Sequence, residues 1–115
     1  MVEIANNVSD GISNPLTGTT INDYVDALDW PCLGIPSKNI HLSNTHGANA
    51  LKYKVLTYAH KNGKSYEEVS ETSLAAGDLA QIILEYGYAQ VKVQVKSSVA
   101  DAHATYELDY LGNKR

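Results

Sequence analysis

The side chains that could do covalent or metal chemistry are few and scattered: one cysteine, Cys32, four histidines, His41, His46, His60 and His103, and an acidic series, Asp23, Asp26 and Asp29. A cysteine nucleophile needs a base within hydrogen-bond reach, and nothing in the spacing ties Cys32 to any of the histidines. With no partner cysteine in the chain, Cys32 reads as a small buried hydrophobe in a reducing compartment. The aspartates recur every third residue but lack the intervening glycine and distal glutamate of a calcium loop. They read as a solvated acidic face, suited to a basic partner. There is no Gly-x-Ser-x-Gly elbow, no phosphate-binding glycine loop and no His-Glu-x-x-His helix. The expectation is a protein that is not an enzyme, with no catalytic residue, metal or cofactor.

Binding is the better question, and the aromatic residues pose it. The chain has eight tyrosines and one tryptophan but no phenylalanine, a choice that favours half-buried rings whose hydroxyls reach water or a partner. Tyrosines beside Trp30 would form a stacking platform for sugars. Tyrosines spread from Tyr24 to Tyr110 suit protein–protein contact, where tyrosine is enriched, and the spread favours this second reading. A net charge of −4 is wrong for a surface that collects phosphates, so nucleic acid is not expected as a partner. The N-terminus lacks both the basic region and the apolar run of a secretory signal, and no window approaches the roughly 20 apolar residues of a membrane span. The expectation is a soluble protein made in the cytoplasm.

At 115 residues the chain fits one domain. Residues 1–19 are rich in Asn, Ser, Thr and Gly, with sparse apolar anchors at Ile4, Val8, Ile12 and Leu16; they read as an extended arm laid on its own domain or on a partner. Residues 20–115 form the domain. In Thr20 to Trp30 the helical spacing of Ile21, Tyr24, Val25 and Leu28 favours a short helix, although the same residues fit an irregular strand. Trp30 to Ser37, broken by Pro31, Gly34 and Pro36, is a loop.

Beyond it, strands are expected at Asn39–Ser43, Ala50–Ala59, Ser65–Glu71, Asp78–Glu85, Val91–Lys96 and Ala104–Tyr110. Asp78–Glu85 should be largely buried through Leu79, Ile82, Ile83 and Leu84. Lys61-Asn62-Gly63-Lys64 is the signature of a two-residue type I′ hairpin turn. That turn would set Leu56 opposite Val69 and Lys54 opposite Glu71, leaving a face with Leu56, Tyr58 and Val69 surplus to the core; a bulged strand is the alternative. An all-β antiparallel sandwich of about six to eight strands follows, of immunoglobulin-like or jelly-roll type.

The runs Asn39–Val55, Glu71–Gly77 and Val91–Ser97, taken with the arm, make residues 38–112 resemble small β-sandwich virion accessory proteins of tailed bacteriophages. The resemblance implies a head decoration or cement protein, or a tail or neck relative, usually a homo-oligomer and often a trimer, lying across joints between major capsid subunits in the virion. On that reading the arm, with Ile4, Val8, Ile12 and Leu16, and the surplus face with Leu56, Tyr58 and Val69 make the partner contacts, and Trp30 is a further candidate contact. The alternative is a carbohydrate-binding or adhesion module of a phage tail or bacterial surface, built on Trp30 and nearby tyrosines. A small enzyme or an inhibitor that sequesters a host ligand is a weaker third.

Overall fold

The computed structural model describes residues 9–11 and 15–113, with side chains over 15–112. They form β1 (Ser9–Gly11), β2 (Leu16–Thr19), β3 (Val25–Trp30), β4 (Ser37–Asn44), β5 (Leu51–Tyr58), β6 (Ser65–Leu74), β7 (Leu79–Leu84), β8 (Gln90–Ser97) and β9 (Thr105–Asn113). The strands make two antiparallel sheets. In the first, β9 lies between β4 and the two short strands β1 and β2, and β7 closes the far edge; the second runs β3-β8-β5-β6. The β2-β9-β4-β7 and β3-β8-β5-β6 layers are the two interleaved halves of a jelly roll, which decides between the two sandwich types. Among the described residues no helix is long and apolar enough to cross a membrane.

Strict alternation builds the core. In β8, Val91, Val93 and Val95 are fully buried, facing Leu51 and Val55 of β5 on the same inner surface and Ile40, Leu42 and Leu108 from the opposite sheet. Their cross-strand partners are fixed by register, Val55 opposite Val93 and Leu42 opposite Leu108. Strands with one buried face tolerate no one-residue slip, because a slip would turn the valines to water.

Three local expectations are corrected. Val25–Trp30 is strand β3, paired with β8, and contains no helix. Its register shifts between Asp26 and Leu28, so Val25 opposes Val95 and Leu28 opposes Val93. The bulge puts three residues where the partner has two, and inward side chains three apart imitate a helical period. The Asn62-Gly63 hairpin is not a two-residue turn: β5 ends at Tyr58 and β6 starts at Ser65. The turn runs His60 to Gly63, closed by the Gly63 N–H donating to the His60 carbonyl at 2.9 Å, with Asn62 at φ 60. That is the third position of a type II arrangement, which needs φ > 0 at one residue only. Irregularities between Tyr53 and Leu56 then set Val55, not Leu56, opposite Val69, while Leu56 opposes Glu67.

The described part of residues 1–19 is held by the domain itself. β1 and β2 both hydrogen-bond to β9, from Ser9 opposite Asn113 to Thr19 opposite Thr105. Thr20, fully buried, locks the junction: its Oγ1 accepts the Ala104 N–H at 2.8 Å and shares a 2.8 Å hydrogen bond with Ser97 Oγ.

Candidate functional site

The two outer faces of the sandwich differ in kind. The face of β3-β8-β5-β6 is occupied by its own charges. Asp26 pairs with Lys92 at 3.4 Å and accepts the Gln94 amide at 2.9 Å, Asp29 accepts the Gln90 amide, and Glu71 pairs with Lys52 at 3.2 Å. Asp26 is thus ion-paired and Asp29 hydrogen-bonded to neighbours on β8, and they do not form the free acidic face expected of them. Tyr24 lies across the sheet, with Lys54 and Lys96 at 4.4 and 5.1 Å from its ring centroid.

The outer face of β9-β4-β7 carries no such network. The row Leu111, Asn39, Ile83 runs straight across three strands, since Asn39 opposes both Leu111 and Ile83. Leu79 lies four residues from Ile83 along β7, opposite Ser43, with Gln81 between them. Leu79, Ile83 and Leu111 are 57%, 55% and 49% exposed. This corrects the expectation of a largely buried β7: Ile82 and Leu84 face inward, while Leu79 and Ile83 alternate outward. His41, Gln81 and Asp109 lie beside the apolar row, with Gln81 Nε2 3.2 Å from His41 Nε2. Leu79, Ile83 and Leu111, set among Asn39, His41 and Gln81, are candidate contact residues on this face.

The residues expected to make partner contacts are not brought together. Ile4, Val8 and Ile12 lie outside the described residues. Leu16 is on edge strand β2 opposite Leu108 and 38% exposed. Trp30 is 3% exposed, its ring 4.7 Å from that of Tyr110, so it presents no face to a sugar. Val69 packs against the core from the inner side of β6. Leu56 is half-buried between lysines on the charged face, and Tyr58 is buried under Lys92, which sits 5.8 Å from its ring. The surface that sequence reasoning missed, Leu79, Ile83 and Leu111, was signalled by alternation: Leu79-Ala80-Gln81-Ile82-Ile83 reads as outward, inward, outward, inward, outward once Gln81 is taken as solvent-facing.

The groups that could do chemistry stay apart. Among the described residues no three of His, Cys, Asp and Glu are placed to hold a metal ion. Cys32 is buried and its Sγ lies 3.5 Å from the Tyr88 carbonyl. Ser97 Oγ lies 2.8 Å from His103 Nδ1, but Ser97 is 4% exposed and already bonded to Thr20. That contact ties the β8–β9 loop to the β2–β3 connection.

No protein-family model matches the chain, and no curated protein matches it by sequence. Solved structures do match in shape. PirA aligns over 90% of this chain and 99% of its own, with a TM-score of 0.63 and 11% identity. YomS, a protein derived from the SPBc2 prophage, aligns over 92% of this chain and 95% of its own, with a TM-score of 0.58 and 10% identity. A chain of the T13 infectious bursal disease virus particle aligns over 91% of this chain and 30% of its own, with a TM-score of 0.54 and 8% identity. At these identities the likeness is one of fold.

Proposed function

We propose that this chain is a non-enzymatic structural protein of a phage virion, a capsid decoration or cement protein that assembles with copies of itself and binds across capsid subunits. One observation carries the reading: the jelly roll leaves one outer face laced by its own ion pairs and the other with Leu79, Ile83 and Leu111 exposed. A face of that second kind gains free energy when covered. The fold it shares with a virus-particle chain and a prophage-derived protein supports the placement in a virion. Binding in many copies at weak individual affinity stabilises a shell through multivalency, and needs no catalytic group.

The test has two parts. Light scattering on a sizing column gives the mass in solution, where a homo-oligomer, a trimer in the simplest case, is expected. Co-sedimentation with heads of the virus that encodes the chain then measures attachment. A protein that stays monomeric and leaves those heads bare refutes the proposal.

A further inference from the structure

The end of the sandwich where β3, β5 and β7 finish meets the exposed face of the first sheet at Ile83 and carries the exposed rings of Tyr66 and Tyr86. Three adjoining hollows of ≈ 370, 380 and 370 Å³ run from the open edge between β6 and β7 to the β3–β4 loop. Glu68 and Tyr88 line both of the first two, and Ala59 lines both of the last two, so they form one continuous groove. Each hollow is of the size that holds a small ligand unit. In sequence, a chain of such units fits the groove better than a single compact molecule.

Its lining is specific in chemistry. Tyr66 and Tyr86 are 68% and 74% exposed, and at the far end Leu33 is 82% exposed. Between the two tyrosines, Tyr88 is held still. Its hydroxyl donates to Glu68 at 3.3 Å, and from the core side the buried Lys38 ammonium stands 5.2 Å from its ring. Lys38 is itself fixed, donating to the carbonyls of Ile35 at 2.6 Å and Tyr86 at 2.8 Å, which anchors the β7–β8 loop that carries Tyr86 and Tyr88. A prearranged aromatic surface loses less entropy when a ligand binds. Charge along the groove is balanced, with Glu68 and Glu85 against Lys61 and Lys64. Balance argues against a strongly anionic or cationic ligand, while exposed ring faces flanked by carboxylate and ammonium groups suit C–H surfaces edged with hydroxyls.

We infer that this tyrosine-lined groove binds a neutral oligosaccharide, with Tyr66 and Tyr86 stacking on successive sugar rings and Glu68 accepting hydrogen bonds from their hydroxyls. Trp30, the residue that sequence alone singled out for sugar stacking, is buried behind Pro31 at the far end of the groove and does not line it.

The experiment is a titration of ¹⁵N-labelled full chain, followed by amide NMR shifts, with cellotetraose, maltotetraose, chitotetraose and mannotetraose, and with choline chloride as the cationic control. The expected result is saturable shifts at Tyr66 and Gly87–Ala89 with at least one tetrasaccharide. Tyr66→Ala and Tyr86→Ala should each weaken that binding about tenfold, with the melting temperature unchanged because both rings are exposed. Glu68→Gln should weaken it less, since the amide still accepts a hydrogen bond. Binding that survives the Tyr66→Ala/Tyr86→Ala double variant overturns the site, and saturation by choline alone, or by none of the probes, overturns the ligand class. Capsid attachment is a separate readout, so failure here leaves the structural proposal standing.

Discussion

The Tyr24 hydroxyl donates to the Glu71 carboxylate at 2.6 Å across the width of a four-stranded sheet. Tyr24 precedes edge strand β3 and Glu71 lies on the opposite edge strand β6, so this one contact spans the two strands between them. The hydrogen bond from Tyr24 and a second from Lys52 hold the Glu71 carboxyl below its ordinary value; burial, then the bond to Glu71, push the Tyr24 phenol up.

Tyr24→Phe should therefore lower the urea midpoint slightly, and Tyr24→Ala more, because the alanine also removes the ring that Lys54 and Lys96 cover. A depressed carboxyl gives stability that is present above its unfolded value near 4.5 and lost as pH falls through the folded one. The gap between wild type and Tyr24→Phe should narrow when urea melts are moved from about pH 7 to about pH 3. A gap that holds constant would deny the contact its electrostatic part.

Alkaline melts should show two opposing slopes. Burial raises the phenols of Tyr24, Tyr88 and Tyr106. The folded chain keeps those protons more tightly, so stability is intact below about 10 and falls as pH rises above it. Lys38 works the other way: burial lowers its value from 10.5, the unfolded chain holds the extra proton, and stability rises with pH up to the unfolded value. Comparison with Lys38→Met isolates that part. Wild type should gain on the variant as pH rises toward 10.5.

Asn44 is 1% exposed and fully used. Its amide donates to the carbonyls of Asn49 and Leu74 at 2.9 and 3.0 Å, and its oxygen accepts the His46 N–H at 3.0 Å. Asn44→Leu fills the space but strips partners from three backbone groups, a loss of about 3 kcal/mol. Urea denaturation would measure it, and a change under about 0.5 kcal/mol would mean that water replaces the amide.

Gly112 lies against the aromatic core, where an added β-carbon would come within 2.5 Å of Ile35 Cγ2 and 2.8 Å of the Trp30 ring. Gly112→Ala should destabilise by about 1–3 kcal/mol through overpacking, and Trp30→Ala by about 3–5 kcal/mol through the cavity it leaves. Both should appear as lowered thermal midpoints. A Trp30→Ala protein that melts like wild type would contradict its place in the core.

Ile83→Lys and Leu111→Lys sit on the uncovered face and should change monomer stability by no more than about 0.5 kcal/mol. Together they should abolish the oligomer expected in light scattering and the expected attachment to heads. If both persist in the double variant, assembly uses another surface.

The strands from Ser37 to Asn113 were legible because each is a run of alternating residues between turn signals; Val91-Lys92-Val93-Gln94-Val95 shows the inner face directly. What escaped lay at irregularities. The bulge in β3 disguised a strand as a helix, and the shift near Val55 moved Val69 from the outer face to the inner one. The contact surface was hidden for another reason. Alternation puts Ile83 outward, but the apolar run Ile82-Ile83-Leu84 masks it and reads as a strand buried on both faces. Trp30 misled in the opposite direction: its inward partner in period two is Leu28, and the helical reading of Thr20 to Trp30 hid that pairing.

The arrangement around β9 bears on how the chain reaches this state. β9 is the last described strand, yet it is hydrogen-bonded to β1, β2 and β4, and without it the sheet would be left as the β4–β7 pair. The first sheet therefore cannot close until residues 105–113 have left the ribosome, and the early strands must wait with their edges unpaired. Closure over such sequence separation is slow, and a nascent chain with unpaired edges is prone to join a neighbour's. Each copy completes its own sheet only once residues 105–113 have emerged, so the edges of β2 and β4 are open to a neighbouring chain until then.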